Sequence, residues 1–425
     1  MRPVRLLLLS ALTSLVVLLL GSALSDGQSL SRPVSNADSD TPPIMPPALS
    51  TAVTGTLAFV QVYTYSMAPY FSEHIATADF DRDGRTDVII AETLYPTYAS
   101  RLVLLRNLGN WQFSATPVVT YSAAGSYLYQ VQAADLNNDQ WPDLVLRRHC
   151  DINVLLSDHI GGFTPSWIGS DGWNYCGSGL ALADMNGDGA DDILAGQQPG
   201  GGGSIDLFTN NGLGTVFTRT WHSRHFGDPN AGDFRSVVPT RLNQDSLADI
   251  VGGEIYDGVL VTFLGDGTGI TFTQVMSAEV GSRIFGMAGG NLDGDGLTDI
   301  VLSSHDALRA YTAQGGGVLS DTWNNTSLPF GYVQTLRDFN HDGYDDLFNG
   351  SFETGQMAVY LNQLPSGTLQ LAWTSKLPSE LYSGTVDDLD GDGNLDLIVG
   401  EKSVLHMYRL VFMTQHYFFP VVFRN

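Results

Sequence analysis

A nine-residue pattern with acidic or amide side chains at positions 1, 3, 5 and 9 recurs along the chain, and any fold for this sequence must repeat with it. The seven copies are Asp79–Asp87, Asp135–Asp143, Asp184–Asp192, Arg241–Asp249, Asn291–Asp299, Asp338–Asp346 and Asp388–Asp396. Their starts lie 56, 49, 57, 50, 47 and 50 residues apart. The flanks repeat in phase. A short strand-like run precedes each copy, as in Ile75–Ala78 and Val131–Ala134, and an apolar run follows it, as in Asp87–Glu92 and Asp143–Arg148. A third run often follows, then a turn rich in Gly and Asn that leads to an aromatic residue and a fourth run, as in Asn107–Phe113 and Gly265–Phe272.

Short strands punctuated by Gly/Asn turns indicate an all-β chain. Four strands in a unit of about 50 residues match one propeller blade. The expected fold is therefore a seven-bladed β-propeller of four-stranded antiparallel blades. No segment outside the first 25 residues carries a helical period. In the seventh unit a fourth strand is missing or irregular, whereas Thr56–Val62 precedes the first unit's own first strand. Residues 57–64 are thus expected to complete the last blade, which removes the two edges an open ring would expose.

The loops have the chemistry of a hard-cation site. Side chains at positions 1, 3 and 5 converge when the chain turns tightly, glycine at position 6 permits the turn, position 7 offers a carbonyl and position 9 a carboxylate. All donors are oxygen, which favours Ca²⁺ over softer metals. The expected ligands of the first loop are Asp79, Asp81, Asp83 and Asp87 with the carbonyl of Arg85. In the second they are Asp135, Asn137, Asp139 and Asp143 with Trp141, and in the third Asp184, Asn186, Asp188 and Asp192 with Ala190. The fifth offers Asn291, Asp293, Asp295 and Asp299 with Leu297, the sixth Asp338, Asn340, Asp342 and Asp346 with Tyr344, and the seventh Asp388, Asp390, Asp392 and Asp396 with Asn394. The second loop departs from the pattern at Gln140 and Pro142 but keeps its ligands. The fourth has Arg241 at position 1 and Ser246 at position 6; its guanidinium is expected to stand in for an ion and pair with Asp245 or Asp249. Five to six ions are therefore expected. Positions 1, 3, 5 and 9 hold 22 of the 45 acidic residues, so the formal charge of −25 is concentrated where divalent cations would cancel it.

The chain resembles the FG-GAP/VCBS-type repeat proteins, whose fold is that of the integrin alpha N-terminal propeller. The resemblance covers roughly residues 57–410, and Phe285-Gly286-Met287-Ala288-Gly289-Gly290 is close to the name-giving pattern. It implies a calcium-stabilised binding domain whose ligands meet the face opposite the metal loops. It also implies relatives among lectins and polysaccharide lyases.

The ends set an address. Arg2 and Arg5, the apolar run Leu6–Leu20 and the small residues Ala23-Leu24-Ser25 read as a signal peptide over residues 1–25. Residues 26–55 read as a Ser/Pro-rich linker, residues 56–412 as the propeller and 413–425 as a tail. The expected product is secreted or cell-surface associated, monomeric, and without a membrane span once the signal is removed. In that oxidising setting Cys150 and Cys176, placed at strand ends of neighbouring blades, are expected to form a disulfide. The acidic balance argues against a nucleic-acid partner.

No HExxH, GxSxG or P-loop occurs, and His222 and His225 with Asp228 and Asp233 fit no metal spacing. Aromatic and glycine-rich insertions, Tyr95–Tyr98, Tyr121–Tyr129, Trp167–Tyr175 and Gly200–Gly203, fall on the face away from the metal loops. Most of these rings are expected to pack between blades; rings left at the surface suit sugars or proteins. The reading favours a protein- or glycan-binding, adhesion-type module over the alternative of a carbohydrate-active lyase or hydrolase.

Overall fold

The second strand of every repeat is apolar at its centre and buried along almost its whole length, because both of its faces are covered. Asp192–Gln197, Asp249–Glu254 and Asp299–Ser304 are buried along their whole length. The fourth strands instead alternate, as in Phe272–Glu279, since one face packs on a neighbour and the other meets solvent. A computed structural model describes residues 56–121, 127–148, 151–170, 179–197, 203–224, 233–281, 283–327, 331–363 and 367–413. These residues form 28 strands in seven four-stranded antiparallel sheets and no helix. The fold is the expected seven-bladed β-propeller. The signal peptide, the linker, residues 414–425, Cys150 and Cys176 lie outside the described residues.

Each blade is a meander. In the first, Phe71–Ala78 is innermost, followed outward by Asp87–Leu94, Ala99–Asn107 and Phe113–Tyr121. The last blade is composite. Leu381–Asp387, Asp396–Glu401 and Val404–Met413 supply three strands, and Thr56–Ser66 supplies the fourth. That strand pairs antiparallel from Thr56 opposite Met413 to Ser66 opposite Val404, with a register shift between Gln61 and Tyr63. The ring is closed by the N-terminal strand, as the phase of the repeat requires.

The core lies between blades. One cluster joins Ile89, Leu102 and Leu104 of the first blade to Leu128, Val131 and Leu146 of the second. Another joins Ile75 and Val88 of the first blade to Ile398, Leu405 and Met407 of the last, with Met67 beyond the closing strand. Leu57 of the closing strand packs with Phe348 and Val359 of the sixth blade. Closure therefore buries apolar surface as well as satisfying a sheet edge. The inner strands approach closely: a Cβ at Gly286 would lie 2.1 Å from Oε1 of Gln334.

Candidate metal loops and central cavity

Each nine-residue loop joins an innermost strand to the second strand, so the loops gather on one face of the ring. Their conformation is set by short-range bonds from the backbone to carboxyl and amide oxygens. The position-5 N–H donates to the position-3 side chain in every loop: Asp83 to Asp81, Asp139 to Asn137, Asp188 to Asn186, Asp245 to Asn243, Asp295 to Asp293, Asp342 to Asn340 and Asp392 to Asp390. The position-7 N–H donates to the position-5 carboxylate, as Arg85 does to Asp83 and Tyr344 to Asp342. These are successive Asx turns. Where position 1 is Asp its carboxylate accepts from position 6, as Asp79 does from Gly84 at 2.8 Å. Position 6 is left-handed in all seven loops, including Gln140 (φ 69°) and Ser246 (φ 65°). Position 4 is also left-handed in six, from Arg82 (φ 58°) to Gly391 (φ 78°), a second demand of the turn that the glycine pattern alone does not reveal.

Position 9 has a role beyond that read from the sequence. Asp87, Asp143, Asp192, Asp249, Asp299, Asp346 and Asp396 are fully buried. One carboxylate oxygen accepts the position-2 N–H of its own loop, at 3.1 Å for Phe80 and 2.6 Å for Leu292. The other accepts an N–H from the third strand, from Asn107 at 2.7 Å and Leu410 at 3.1 Å for example. Each aspartate thus staples loop to blade. Burial, reinforced by neighbouring loop carboxylates and opposed by these N–H groups, pushes Asp87, Asp143, Asp192, Asp346 and Asp396 up to about 7.

Adjacent loops are laced together. The side-chain amides of Asn107, Asn210 and Asn362 donate to the carbonyls of Leu389, Leu136 and Leu292, the position-2 residues of the preceding blade's loop, at 2.7, 2.8 and 2.6 Å. Position 8 does the same work elsewhere: Asp345 accepts from the N–H of Asn291 at 2.7 Å, and Thr298 Oγ1 from that of Arg241 at 2.9 Å. These asparagines stood out in the sequence only as turn formers.

Two acidic groups draw three carboxylate oxygens within 4.8 Å of one another: Asp79, Asp81 and Asp87, and Asp388, Asp390 and Asp392. Arg409 reaches Asp390 and Asp392, both at 2.8 Å, and His159 reaches Asp139 at 2.8 Å. Arg241 is exposed, and among the described residues it forms no close ion pair with Asp245 or Asp249, although its charge opposes the rise that burial gives the Asp249 carboxyl. Its backbone is bonded to Thr298 of the neighbouring loop.

The ring encloses a central cavity of about 860 Å³, lined by the innermost strands and by turns at the face opposite the metal loops. At that end Glu73 is gripped by two hydroxyls. Tyr95 donates to its Oε1 at 2.9 Å and Tyr127 to its Oε2 at 2.5 Å. Burial pushes the carboxyl up to about 7, and the two hydroxyl bonds hold it back. Aromatic contacts run on from there. Tyr98 lies 5.2 Å from Tyr95 and 6.1 Å from Tyr127, and Tyr129 4.5 Å from Tyr127. Phe71 links Tyr95 to Tyr382, which meets Phe352 and then Tyr332. Other rings behave as inter-blade packing: Trp167 sits against Phe208 and Phe217 of the next blade, and Trp221 against Phe263 and Phe272.

The family model described as FG-GAP-like repeat matches residues 79–146, 135–195 and 338–399. Integrin alpha-8 of Gallus gallus is 25% identical over 227 residues, which are 44% of this chain and 21% of that protein. The chain thus spans about a fifth of that relative's length. Among solved structures, a protein from Lactobacillus plantarum aligns at 12% identity over 73% of this chain and 86% of that one, with a TM-score of 0.55. Saccharomyces cerevisiae Sqt1 aligns at 10% identity over 82% of this chain and 98% of that one, also at 0.55. The two solved structures share the fold. The matched spans reach five of the seven blades, and the same loop and staple recur in all seven, so the chain is a seven-bladed β-propeller carrying FG-GAP-like repeats.

Proposed function

We propose that this protein is a secreted, calcium-stabilised propeller acting as an adhesion-type module that binds an extracellular protein or glycan on the cavity-bearing face. The observation that carries the reading is the division of labour between the two faces. One face repeats a rigid, all-oxygen loop around the ring, with carboxylates converging in the first and last blades. The other concentrates exposed and half-buried tyrosines around a cavity. A repeated device suits a structural task, and an unrepeated one suits recognition.

The donor set fits calcium. The carboxyl and amide oxygens of positions 1, 3 and 5 would hold an ion in the first, second, third, fifth, sixth and seventh loops. Position 9 has both oxygens engaged by N–H groups, and each oxygen retains a lone pair for a cation. The ion's chemistry there is charge neutralisation: it offsets carboxylates that burial and mutual repulsion otherwise hold above their usual range. With Kd ~10⁻⁴ M in ~1 mM Ca²⁺, each site adds about 1.4 kcal/mol by mass action. Secretion rests on the N-terminal sequence, and no helix among the described residues is long and apolar enough to cross a membrane.

The test is retention of the protein on arrays of extracellular-matrix proteins and glycans, in calcium and in EDTA. Specific retention in calcium, lost in EDTA together with thermal stability, supports the reading. Turnover of a polysaccharide with the appearance of new reducing ends would instead favour an enzyme.

A further inference from the structure

Given that ligands meet the cavity-bearing face, as proposed above, the charges left open on that face decide which ligand it takes. Acids dominate the chain, but 22 of its 45 belong to the loops on the opposite face. Among the described residues that line the cavity Glu73 is the single carboxylate, and it is held on the first blade by Tyr95 and Tyr127. Arg235 enters from the innermost strand of the fourth blade, Phe234–Thr240, and lies over the ring of Tyr332 at the head of the sixth, 4.3 Å from its centroid. Among the described residues its guanidinium has no hydrogen-bond or ion-pair partner, and its N–H groups are not sealed from solvent. The Asp233 carboxylate, two positions away, is buried and forms no ion pair with it. A second guanidinium of this kind stands on the same face. Arg283 precedes the innermost strand of the fifth blade, Ile284–Gly290; it is exposed and lies 5.7 Å from the centroid of the Tyr256 ring. Two such cations on adjacent blades make this part of the face attractive to anions in a chain of net charge −25. A ring beneath a guanidinium fixes its plane and leaves the N–H fork free to take a carboxylate in bidentate geometry.

The surroundings of Arg235 describe the body that carries the carboxylate. Tyr332 is flanked by Phe285 at 5.5 Å and Phe352 at 4.8 Å, and Phe352 by Tyr382 at 5.1 Å. This arc of rings lines a cavity of about 860 Å³. The hydroxyls of Tyr129 and Tyr382 also belong to the lining. Among the described residues neither has a hydrogen-bond partner, and both are open to solvent rather than sealed. Each can donate and accept. A carboxylate on the flexible stem of an aspartate or glutamate side chain leaves the arc and the hydroxyls unused. An aromatic acid uses the arc but not the hydroxyls. A uronic acid engages all three: its carboxylate suits the guanidinium, the C–H face of its pyranose the rings, and its hydroxyls those of Tyr129 and Tyr382.

We infer that the mouth of the cavity binds an acidic glycan, whose uronic-acid carboxylate pairs with Arg235 while its ring lies along Tyr332, Phe352 and Tyr382. The experiment is calorimetric titration of the calcium-loaded chain with the methyl glycosides of glucuronic and galacturonic acid, each against its neutral counterpart, methyl glucoside or methyl galactoside. Acetate, benzoate and an acetylated, amidated aspartate are titrated beside them. The expected result is that each uronoside binds about tenfold or more tightly than its neutral counterpart, a preference that shrinks as salt rises, and more tightly than the three other acids. Arg235→Gln is expected to remove the preference while leaving the affinity for neutral glycosides and the melting temperature unchanged. The comparison of acidic with neutral glycosides uses the wild-type chain alone, so it holds even where the variant folds poorly. Acidic and neutral glycosides bound alike, no uronoside bound, or a preference untouched by Arg235→Gln would overturn the proposal. It is also overturned if one of the other acids binds as tightly as the uronosides: the aspartate would point to an acidic protein, benzoate to an aromatic acid and acetate to a plain anion pocket. Retention on matrix proteins or neutral glycans, with a calcium-dependent melt and no uronoside bound, overturns the uronate site alone. A melt indifferent to EDTA, with no retention on any array, removes the wider reading of a calcium-stabilised binding module.

Discussion

The backbone N–H of Asn107 donates to Oδ1 of Asp87 at 2.7 Å, and the Asn107 side chain reaches on to the carbonyl of Leu389 in the neighbouring blade at 2.7 Å. One asparagine thereby connects the third strand of its blade, the last residue of its acidic loop and the acidic loop of the preceding blade. Removing it should be felt as a loss of coupling between blades. Asn107→Ala leaves a buried carbonyl without its donor and is expected to cost about 1–3 kcal/mol in chemical denaturation. Asn362→Ala, which frees the Leu292 carbonyl, should cost a similar amount on the far side of the ring. Wild-type stability in both variants would mean that the loops are held by their own turns alone.

The closing strand makes a second prediction. Deleting residues 56–66 uncovers the edge of Val404–Met413, strips Leu57 from one inter-blade cluster and removes Val62, Tyr63 and Tyr65 from their packing against another. An unpaired edge of that length recruits other strands. The truncated chain is expected to elute as oligomers or aggregate in size-exclusion chromatography with light scattering, while the intact chain does not. A stable truncated monomer would show that three strands suffice for the last blade.

The fourth loop keeps its turn ladder and its buried Asp249 without a carboxylate at position 1. Arg241→Asp restores that carboxylate on a backbone already held by Thr298. The variant is expected to bind one more calcium than the wild type in a direct metal assay. An unchanged count would place the defect at Ser246 or at Gln244 rather than in the missing charge.

Glu73 sets a pH dependence whose sign follows from its burial. Its folded value is raised from 4.5 to about 7, so the folded state favours the protonated carboxyl. That contribution is present below 4.5 and is lost as pH rises through about 7. His74 acts the other way at the acid end, since burial lowers its imidazole to about 4. The difference between Glu73→Gln and wild type isolates the carboxyl. The melting temperature of the variant relative to wild type is expected to climb as pH rises from 4.5 through 7. A constant difference across that range would mean that Glu73 is not held as the structure shows.

The repeat made blades, loops and ring closure legible, because a nine-residue spacing locates the strands around it. It did not reveal how the loops are stapled. Spacing identifies the carboxylate of Asp87 but not that both its oxygens accept N–H groups, one from a residue 20 positions away. Nor did it reveal the lacing, since Asn107 and Leu389 are 282 residues apart. Arg241 shows the same limit: spacing places it near Asp245 and Asp249, but not that its backbone N–H is bonded to Thr298 in the next blade. The cavity was visible only as scattered tyrosines. Tyr95 and Tyr127 meet on Glu73 because the innermost strands of two blades lie side by side, a relation that no local pattern records.

The central claim is that divalent ions hold the loop ring together. The direct measurement is calcium stoichiometry by metal analysis on residues 56–425, paired with thermal melts in calcium and in EDTA. The account predicts five to six ions per chain and a large fall in melting temperature on chelation. A chain with no bound calcium and an unchanged melt in EDTA would contradict it, and would leave the Asx turns and aspartate staples as the sole support of the ring.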